Sequence, residues 1–533
     1  MTTPPESAET GAKAPPARRF ARFGEAERPT YAVTTFGCQM NVHDSQRMEE
    51  VLAGAGFTRV ENEGEADIVV LNTCSVREKA EQKLRSEVGR LAKQKRARKE
   101  MVLVVAGCVA QQEGEKLLKR MPAIDLLVGP DNIPELPRLI EEIGLGGPPA
   151  ARTVFDTESP RFLTAPTVLS GAPTAFVTTM KGCDERCSFC IVPHTRGPER
   201  YRPSDEIVGE IRGLVAAGAR EVMLLGQTVN SYRDPRGEGA GRGLARAPGA
   251  DPEDPDESEF AALLRYIHEA VPGLARLRYT SPHPRHLTPS LIAAHRDVPI
   301  LARHVHLPVQ SGSDRVLRRM IRRYTREEYV KRTAELVRAV PGLTLSTDII
   351  VGFPGETEED FLATLSLVDE MGFRGLFGFK YSPRPYTPAL RLGDDVSEEV
   401  KSERLARLFE RSEALLGAHL GTLVGTAQRV LVEGRDKGKG VFWTGRSERN
   451  EIVHVAGASE LDLLGEIVEV VVMRSNKHSV EGELTEASRA GARPLDAEAP
   501  VKKVRRALPV IGMGGAGAES PGTAAAGGVG VTP

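Results

Sequence analysis

Three cysteines within eight residues constrain this chain more than any other feature of its sequence. Cys183, Cys187 and Cys190 form a C-x3-C-x2-C motif directly after an apolar run at 175–180. Three thiolates so close together can surround a single metal centre. Burial of three unreactive cysteines would not require this clustering. The sequence therefore predicts a metal centre on a loop that ends a strand.

The spacing of the motif is compatible with two kinds of metal centre. A structural zinc site needs four protein ligands, and His194 stands four residues after Cys190, where it could be the fourth. A 4Fe–4S cluster also has four corners, and three cysteines would leave one iron open for substrate chemistry. We favour the open cluster, because catalytic residues gather at the carboxyl ends of barrel strands.

The other three cysteines are far apart in sequence but share one position relative to predicted strands. Cys38, Cys74 and Cys108 each follow an apolar, β-branched run. The carboxyl ends of parallel strands lie on one edge of a sheet, where open α/β folds bind ligands. We therefore expect the three to converge, with Gly37 and Gly107 allowing the backbone to approach a bulky ligand. Coincidental burial of three small side chains is the alternative.

Alternating strand and helix patterns give an α/β fold class. Residues 29–146 predict a parallel-sheet α/β domain. Residues 169–415 contain six strand patterns, most of them separated by helical ones, which predicts a barrel or an open barrel-like sheet with its site at the carboxyl ends of the strands. Short Val-rich runs at 420–487 predict a small β-barrel of the oligonucleotide-binding kind.

The remaining segments lack periodicity. Residues 1–28 and 488–533 are predicted to be disordered tails, and 234–258 a flexible surface insertion. No run approaches the ~18 apolar residues of a membrane helix, which excludes an integral membrane protein. Without an export signal or a disulfide framework, we expect a cytoplasmic protein with reduced thiols.

The formal net charge is -2, so binding to nucleic acid would depend on local patches. The segment Arg429–Arg449 on the predicted small barrel holds six basic and three acidic side chains. A second candidate is an arginine stripe near the barrel mouth, made of Arg315, Arg318, Arg319, Arg322 and Arg323. A solvated surface is the alternative for both. The basic run at 502–506 lies in the predicted tail.

Together, these motifs resemble those of the radical S-adenosylmethionine methylthiotransferases. The aromatic Phe189 before the last cysteine of C-x3-C-x2-C is typical of radical S-adenosylmethionine enzymes. The runs 181–205, 306–313 and 351–356 are similar to those of the methylthiotransferases. The residues around the N-terminal cysteines resemble the branch that acts on N6-dimethylallyladenosine in tRNA. The resemblance covers 29–486.

The resemblance implies a partial (β/α)6 radical S-adenosylmethionine barrel between an N-terminal methylthiotransferase domain and a C-terminal TRAM domain that binds RNA. It implies two 4Fe–4S clusters. The first, on the C-x3-C-x2-C motif, binds S-adenosylmethionine and cleaves it to a radical. The second, on the three N-terminal cysteines, holds the sulfur that a second S-adenosylmethionine methylates. Phe189 would lie near the adenine.

Other candidate contacts with S-adenosylmethionine come from single residues. Gly352 and Gly355 are candidates for contact with the adenosine moiety, or glycines of a strand-to-helix turn. Gln310 follows a barrel strand and is a candidate for contact with the ribose. For His304 and His306 we favour a core or solvated position over iron ligation.

The implied reaction is methylthiolation of C2 of N6-isopentenyladenosine next to the tRNA anticodon. No general base removes that unactivated hydrogen at neutral pH, so a cofactor has to perform the difficult step. The implied partners are the anticodon arm and an electron donor such as a flavodoxin or ferredoxin, and we expect a monomer.

Two other functions stay open. One is a methylthiotransferase that acts on threonylcarbamoyladenosine in tRNA or on a ribosomal protein, and the other is a non-catalytic, zinc-stabilised RNA-binding protein. Two features depart from the family pattern: Tyr201 stands where Ser is usual, and the insertion at 234–258 is long.

Overall fold

The computed structural model describes residues 29–75, 78–157, 162, 172–236, 257–435 and 442–495. The predicted tail 1–28, the basic run at 502–506 and most of the 234–258 insertion lie outside these residues. The described chain continues past the predicted boundary at 487, with a helix and a short strand that extend to Pro494. In the part of the chain that the structure describes, no helix is both long and apolar enough to cross a bilayer.

The N-terminal domain is a parallel sheet with helices on both faces. Its strands are β1 (Thr30–Phe36), β2 (Thr58–Arg59), β3 (Ile68–Thr73), β4 (Val102–Gly107), β5 (Leu126–Val128) and β6 (Ala150–Arg152). Its helices are α1 (Gln39–Gly54), α2 (Glu78–Ala97), α3 (Cys108–Glu113), α4 (Glu115–Arg120) and α5 (Leu136–Gly144). The strand order is β2-β1-β3-β4-β5-β6.

The order of these strands explains why three distant cysteines meet. β3 and β4 are buried along their whole length at the centre of the sheet, as expected for apolar runs covered on both faces. β1 pairs in parallel with β3, and β3 with β4, so all three strands end on one edge. Cys38, Cys74 and Cys108 come directly after those ends. The predicted convergence of the three strand ends is confirmed.

The central domain contains six main parallel strands in two sheets. Its strands are β7 (Thr174–Thr178), β8 (Met180–Lys181), β9 (Arg200–Tyr201), β10 (Glu221–Leu225), β11 (Arg276–Tyr279), β12 (His304–His306), β13 (Thr344–Val351) and β14 (Gly375–Lys380). The sheet orders are β11-β10-β7 and β12-β13-β14, and a bridge between Leu277 and Leu301 connects them. β8 and β9 form a separate hairpin-like pair. The six predicted strand runs are therefore observed as an open barrel.

Helices surround this barrel, and two of them begin at predicted threonine caps. They are α6 (Val192–Arg196), α7 (Ser204–Ala216), α8 (Glu259–Ala270), α9 (Pro289–Asp297), α10 (Asp314–Arg319), α11 (Arg326–Ala339), α12 (Glu358–Met371) and α13 (Glu398–Thr422). Thr325 and Thr357 accept hydrogen bonds from backbone N–H groups three residues later, and each completes a capping box. The ends of the insertion are ordered as well: Asp234 is buried, and Ser258 caps α8.

The C-terminal part folds as a small closed barrel. Its elements are β15 (Ala427–Arg435), β16 (Trp443–Ser447), β17 (Ile452–Ala456), β18 (Leu461–Asp462), β19 (Ile467–Ser475), β20 (Val480–Leu484), α14 (Glu486–Gly491) and β21 (Arg493–Pro494). The barrel closes in the order β15-β16-β17-β20-β19. Alternate valines of these strands point into one core, which is the period-2 pattern of the sequence.

The small barrel packs against the amino ends of the central strands. Arg276 and Arg278, at the start of β11, share the buried carboxylate of Glu221. Both guanidiniums also donate to the backbone carbonyl of Ser447 in the small barrel, at 3.3 Å and 2.8 Å. Thr344, at the start of β13, donates to the carbonyl of Arg449. The small barrel therefore lies at the end of the central domain opposite to the cysteine motif.

Candidate metal centres

The C-x3-C-x2-C cysteines lie on a loop at the carboxyl ends of the central strands. Cys183 and Cys187 are buried and Cys190 is partly buried. The Sγ of Cys183 lies 2.9 Å from the Oγ1 of Thr228, which follows β10. The Sγ of Cys187 accepts a hydrogen bond from Nη1 of the buried Arg322 at 3.2 Å. Side chains that follow β10 and the helix at Asp314–Arg319 therefore contact this trio.

Burial keeps the thiols of Cys183 and Cys190 protonated when no metal is bound. It raises the pKa of the Cys183 thiol to about 11 and that of Cys190 to about 12. A coordinating metal removes the proton from a thiol, because the metal charge favours the thiolate. Metal binding at this trio therefore releases protons.

The three N-terminal cysteines lie together on the edge of their own sheet. A hydrogen bond from Cys74 lowers the pKa of the Cys38 thiol to about 6. Burial raises the pKa of Cys108, which is 5% exposed. A Cβ on Gly37 would lie 2.5 Å from the Cβ of Cys74, and one on Gly107 would lie 2.3 Å from Oδ1 of Asn72. The close approach that these glycines permit is thus between the strand-end loops themselves.

Arg196 connects the N-terminal trio to the segment that follows the cysteine motif. It belongs to α6 of the central domain, and its Nε donates to the Sγ of Cys108 at 3.3 Å. Its two Nη atoms bind the carboxylate of Asp44, which keeps the pKa of this buried guanidinium well above its usual value despite desolvation. Arg196 is six residues after Cys190, so their Cα atoms are at most about 22 Å apart. The segment after the cysteine motif therefore contacts the N-terminal trio across the domain interface.

Other polar contacts hold that interface together. Asp131 of the N-terminal domain forms ion pairs with Lys181 and Arg200, which flank the cysteine motif. The ring of His43 on α1 lies 3.3 Å from the hydroxyl of Thr178 at the end of β7. These groups are at least partly buried, and breaking such a pair by removing one partner is strongly destabilising. The relative position of the two trios is therefore fixed by the interface.

The distances between ligand atoms favour clusters over zinc. A tetrahedral zinc ion with Zn–S bonds of about 2.3 Å places its ligand sulfurs about 3.8 Å apart. Among the described residues, only one trio of His, Cys, Asp or Glu has all its ligand atoms within 4.8 Å of one another, and it consists of Glu185, His283 and His286. Neither cysteine trio meets that limit. Arg285 already places a positive charge 3.1 Å from Glu185.

His194 does not complete the cysteine motif as a fourth ligand. Its side chain is exposed, and its ring lies beside that of Tyr386, with centroids 5.7 Å apart. No group that combines His194 with two of the motif cysteines has zinc spacing in the described part of the chain. The donor set of this site therefore consists of three thiolates, which fits a 4Fe–4S cluster with one open corner.

Comparison with known proteins identifies each part of the chain. Residues 30–129 match the family described as Uncharacterized protein family UPF0004, residues 177–368 match the Radical SAM superfamily, and residues 421–485 match the TRAM domain. A tRNA-2-methylthio-N(6)-dimethylallyladenosine synthase of Sorangium cellulosum is 70% identical over 501 residues, which are 91% of this chain and 100% of the relative. The chain belongs to the tRNA-2-methylthio-N(6)-dimethylallyladenosine synthase family.

Two further comparisons describe how far the likeness extends. A synthase of the same name from Geobacter metallireducens is 46% identical over 85% of this chain and 97% of its own length. The solved radical S-adenosylmethionine methyltransferase TsrM from Kitasatospora setae has a TM-score of 0.47 and 16% identity, and the match covers 68% of this chain and 77% of that one. Membership of the Radical SAM superfamily implies S-adenosylmethionine and one 4Fe–4S cluster.

The predicted contacts with S-adenosylmethionine lie at the barrel mouth. Phe189 packs in a small apolar cluster with Phe353 and Tyr381. Gln310 bridges to Ile349 and has a φ of 76°, which is unusual for a residue with a side chain. The contacts of Phe189 and Gln310 with the cofactor stay predictions.

The two predicted glycines belong to the turn between β13 and α12. Their φ values are 69° for Gly352 and 75° for Gly355. A Cβ on Gly352 would lie 2.3 Å from the side chain of Lys401, and one on Gly355 would lie 3.0 Å from Arg319. Turn geometry accounts for both glycines, and their contact with adenosine stays a prediction.

The histidines of β12 have partners within the barrel. His306 lies 2.9 Å from the hydroxyl of Ser346 and 3.3 Å from the carboxylate of Asp348. Burial lowers the pKa of His304 well below its usual value.

Tyr201, which departs from the family pattern, donates to the carboxylate of Glu199, and Ser231 supplies a second hydroxyl there at 3.0 Å.

The arginine stripe does not form one surface. Arg322 is buried beside Cys187, Arg315 pairs with Asp360, and Arg319 donates to the carbonyl of Pro354. Arg318 and Arg323 are exposed. Sequence analysis did not assign Arg322 to the metal centre. Its position two residues before a buried tyrosine, Tyr324, is the one local signal for an inward-facing side chain.

Proposed function

We propose that this chain transfers a methylthio group to C2 of N6-isopentenyladenosine beside the anticodon of tRNA, by radical S-adenosylmethionine chemistry. The observation that carries the proposal is the contact of Arg196, in the segment after one cysteine trio, with Cys108 of the other trio. The enzyme works in the cytoplasm as a monomer, with an electron donor such as a flavodoxin or ferredoxin. Family membership supports the choice of substrate.

Each trio holds one 4Fe–4S cluster in this proposal. When bound, the cluster on Cys183, Cys187 and Cys190 supplies the reductive cleavage of S-adenosylmethionine, and the cluster on the N-terminal trio supplies the sulfur. Each trio offers three thiols, and among the described residues neither trio belongs to a group with zinc spacing, which supports this assignment.

The protein stabilises the charge that each trio gains when its thiols are deprotonated. Arg322 donates to Cys187 and Arg196 to Cys108, so each group of three thiolates has a buried cation in contact with one sulfur. Hydrogen bonds and positive charge near cluster sulfurs tune cluster potentials. Asp44 in turn holds Arg196 through both Nη atoms, which fixes the direction of its Nε toward Cys108.

The substrate base has to leave its stack to reach the space between the trios. Unstacking costs less in a loop than in a duplex, which suits a base next to the anticodon. The buried walls of the interface exclude water from the reacting atoms, which protects reactive intermediates from side reactions. The chain therefore needs no acid or base side chain at the substrate carbon.

Analysis of modified nucleosides tests the proposed function. We expect tRNA from a strain without this protein to lack 2-methylthio-N6-isopentenyladenosine and to accumulate N6-isopentenyladenosine. Expression of this chain should restore the methylthiolated nucleoside. Loss of the methylthio derivative of threonylcarbamoyladenosine instead would contradict the proposal, and so would an unchanged nucleoside profile together with an altered ribosomal protein.

The small barrel supports tRNA binding, but its described arginines are mostly paired. Arg429 pairs with Glu448 at 3.0 Å, and Arg446 pairs with Glu433. Arg449 pairs with Glu451, and its carbonyl accepts from the central domain. The lysines of the predicted basic segment lie within 436–441, outside the described residues. Exposed ion pairs are worth little, so an RNA phosphate can displace the carboxylate from Arg429.

Two opposite charge changes test this RNA surface. Arg429→Gln removes a cation and should weaken tRNA binding and reduce the salt slope of log Kd by roughly one. Glu448→Gln frees Arg429 and should strengthen binding. Both side chains are exposed by at least a third, so neither change should unfold the barrel. Measurement of tRNA affinity at several salt concentrations checks both. If both substitutions changed the tRNA affinity in the same direction, this face of the barrel would not be the RNA-binding surface.

A further inference from the structure

The segment after β14 makes a strained turn at the rim of the central barrel. The N–H of Thr387 donates to the carbonyl of Arg384 and closes a turn whose two central residues are Pro385 and Tyr386. The φ of Tyr386 is 68°, in the left-handed region. Glycine is the usual residue at such a position, because a Cβ is unfavourable there. A large side chain therefore occupies a backbone conformation that disfavours any side chain.

Both sides of this turn are fixed to parts of the candidate site. The buried Arg384 donates to Glu81 of the N-terminal domain at 3.2 Å. The N–H of Ala389 donates to the carbonyl of Ser188 in the cysteine loop at 2.8 Å. The hydroxyl of Thr387 donates to the carbonyl of Arg384 at 2.7 Å. The turn is therefore held between α2 of the N-terminal domain and the cysteine loop, and the strain at its tip is not released.

The ring at the tip of the turn is exposed. Tyr386 is 57% exposed, and among the described residues its ring contacts His194, with centroids 5.7 Å apart and planes tilted by 40°. His194 is four residues after Cys190. Leu390 and Leu392 of the same segment are 46% and 40% exposed. An aromatic face with an apolar border thus lies next to the mouth of the site.

We propose that Tyr386 and His194 form a stacking platform for an unpaired base of the RNA substrate. The inference rests on the proposed function, because it names where the anticodon loop lies when its target base enters the site. Unpaired bases of RNA loops stack on aromatic side chains, and every base offers a flat face for this contact. The exposed Arg391 on the same segment provides charge for a neighbouring phosphate.

Three variants of Tyr386 separate stacking from structure. The probe is an anticodon stem-loop RNA that carries N6-isopentenyladenosine, bound to the reconstituted full-length chain. Tyr386→Phe keeps the ring and should keep the affinity. Tyr386→Gly and Tyr386→Leu remove the ring and should each weaken binding by about tenfold. Since Tyr386→Gly also relieves the left-handed strain, its thermal unfolding midpoint should not fall below that of the wild type.

The salt dependence adds a second readout. The ring contacts no phosphate, so the slope of log Kd against log salt should be the same for Tyr386→Gly and the wild type. Full affinity in Tyr386→Gly and Tyr386→Leu would overturn the inference. If the wild type makes no methylthiolated product while both ring-less variants still lose affinity for the stem-loop, the proposed function fails and the platform stands.

Discussion

Replacement of Cys183 by alanine should abolish cleavage of S-adenosylmethionine. The motif offers three thiolates to a cluster that needs all of them, and the neighbouring Thr228 hydroxyl cannot replace a sulfur ligand. Anaerobically reconstituted wild-type chain should bind about eight iron atoms, and the variant about four, because each 4Fe–4S cluster holds four. Iron analysis checks the loss of four iron atoms. Measurement of 5′-deoxyadenosine after reduction checks the loss of S-adenosylmethionine cleavage.

His194→Ala is the matched control for the Cys183 variant. His194 is exposed and its ring faces Tyr386, so its loss should leave the iron content at the wild-type value. If the chain took up stoichiometric zinc and no iron, and His194→Ala lost that zinc, the cluster assignment would be wrong. The non-catalytic, zinc-stabilised RNA-binding protein would then be the better description.

Replacement of Cys38 by alanine should abolish methylthiolation but not the cleavage of S-adenosylmethionine, and so show that the two metal centres have different roles. The C-x3-C-x2-C trio stays intact, so the variant should still cleave S-adenosylmethionine to 5′-deoxyadenosine. It should form no 2-methylthio product, because the N-terminal trio loses the ligand that is hydrogen-bonded to Cys74. Iron content should again fall to about four per chain. Both products can be measured in one reaction with N6-isopentenyladenosine-containing tRNA.

Met40→Leu controls for disturbance of the domain interface. Met40 is two residues from Cys38 and packs against Phe176 and Leu225 of the central domain, so the change affects the same contact without removing a ligand. This variant should keep both activities, since a volume-conserving substitution costs little. Full methylthiolation by Cys38→Ala would show that the N-terminal trio does not supply the sulfur.

The sequence predicted the features that depend on short stretches of chain. Strand runs, the capping boxes at Thr325 and Thr357, and the strand-end positions of the cysteines follow from local pattern, and the structure agrees. Parallel pairing then brings distant cysteines together without further information, because it places all strand ends on one edge.

The sequence did not predict which arginines face inward. Arg322 looked like part of a helical stripe, but α10 ends at Arg319, and Ile321 and Arg323 have φ values of 57°. These left-handed residues rotate the chain so that Arg322 turns toward Cys187. Such a change of chain direction depends on tertiary contacts, so the spacing of charged residues along the sequence does not predict it.

The same limit applies to pairs that join two domains. Arg196 follows the cysteine motif in sequence, whereas its partners Cys108 and Asp44 lie in the N-terminal domain, 88 and 152 residues away. No local pattern connects positions so far apart. The sequence also did not predict β21, which is held by pairing with β18 and not by its own composition.

The position of the small barrel sets a minimum length for an RNA that reaches both this barrel and the cysteine motif. It sits at the amino ends of the central strands, while the cysteine motif lies at their carboxyl ends. β13 is eight residues long, which corresponds to about 26 Å. An RNA that touches the small barrel and also delivers a base to the mouth has to span at least that height with a stiff body. The end-to-end length of a hairpin arm would then discriminate among RNA substrates before any contact with a base does.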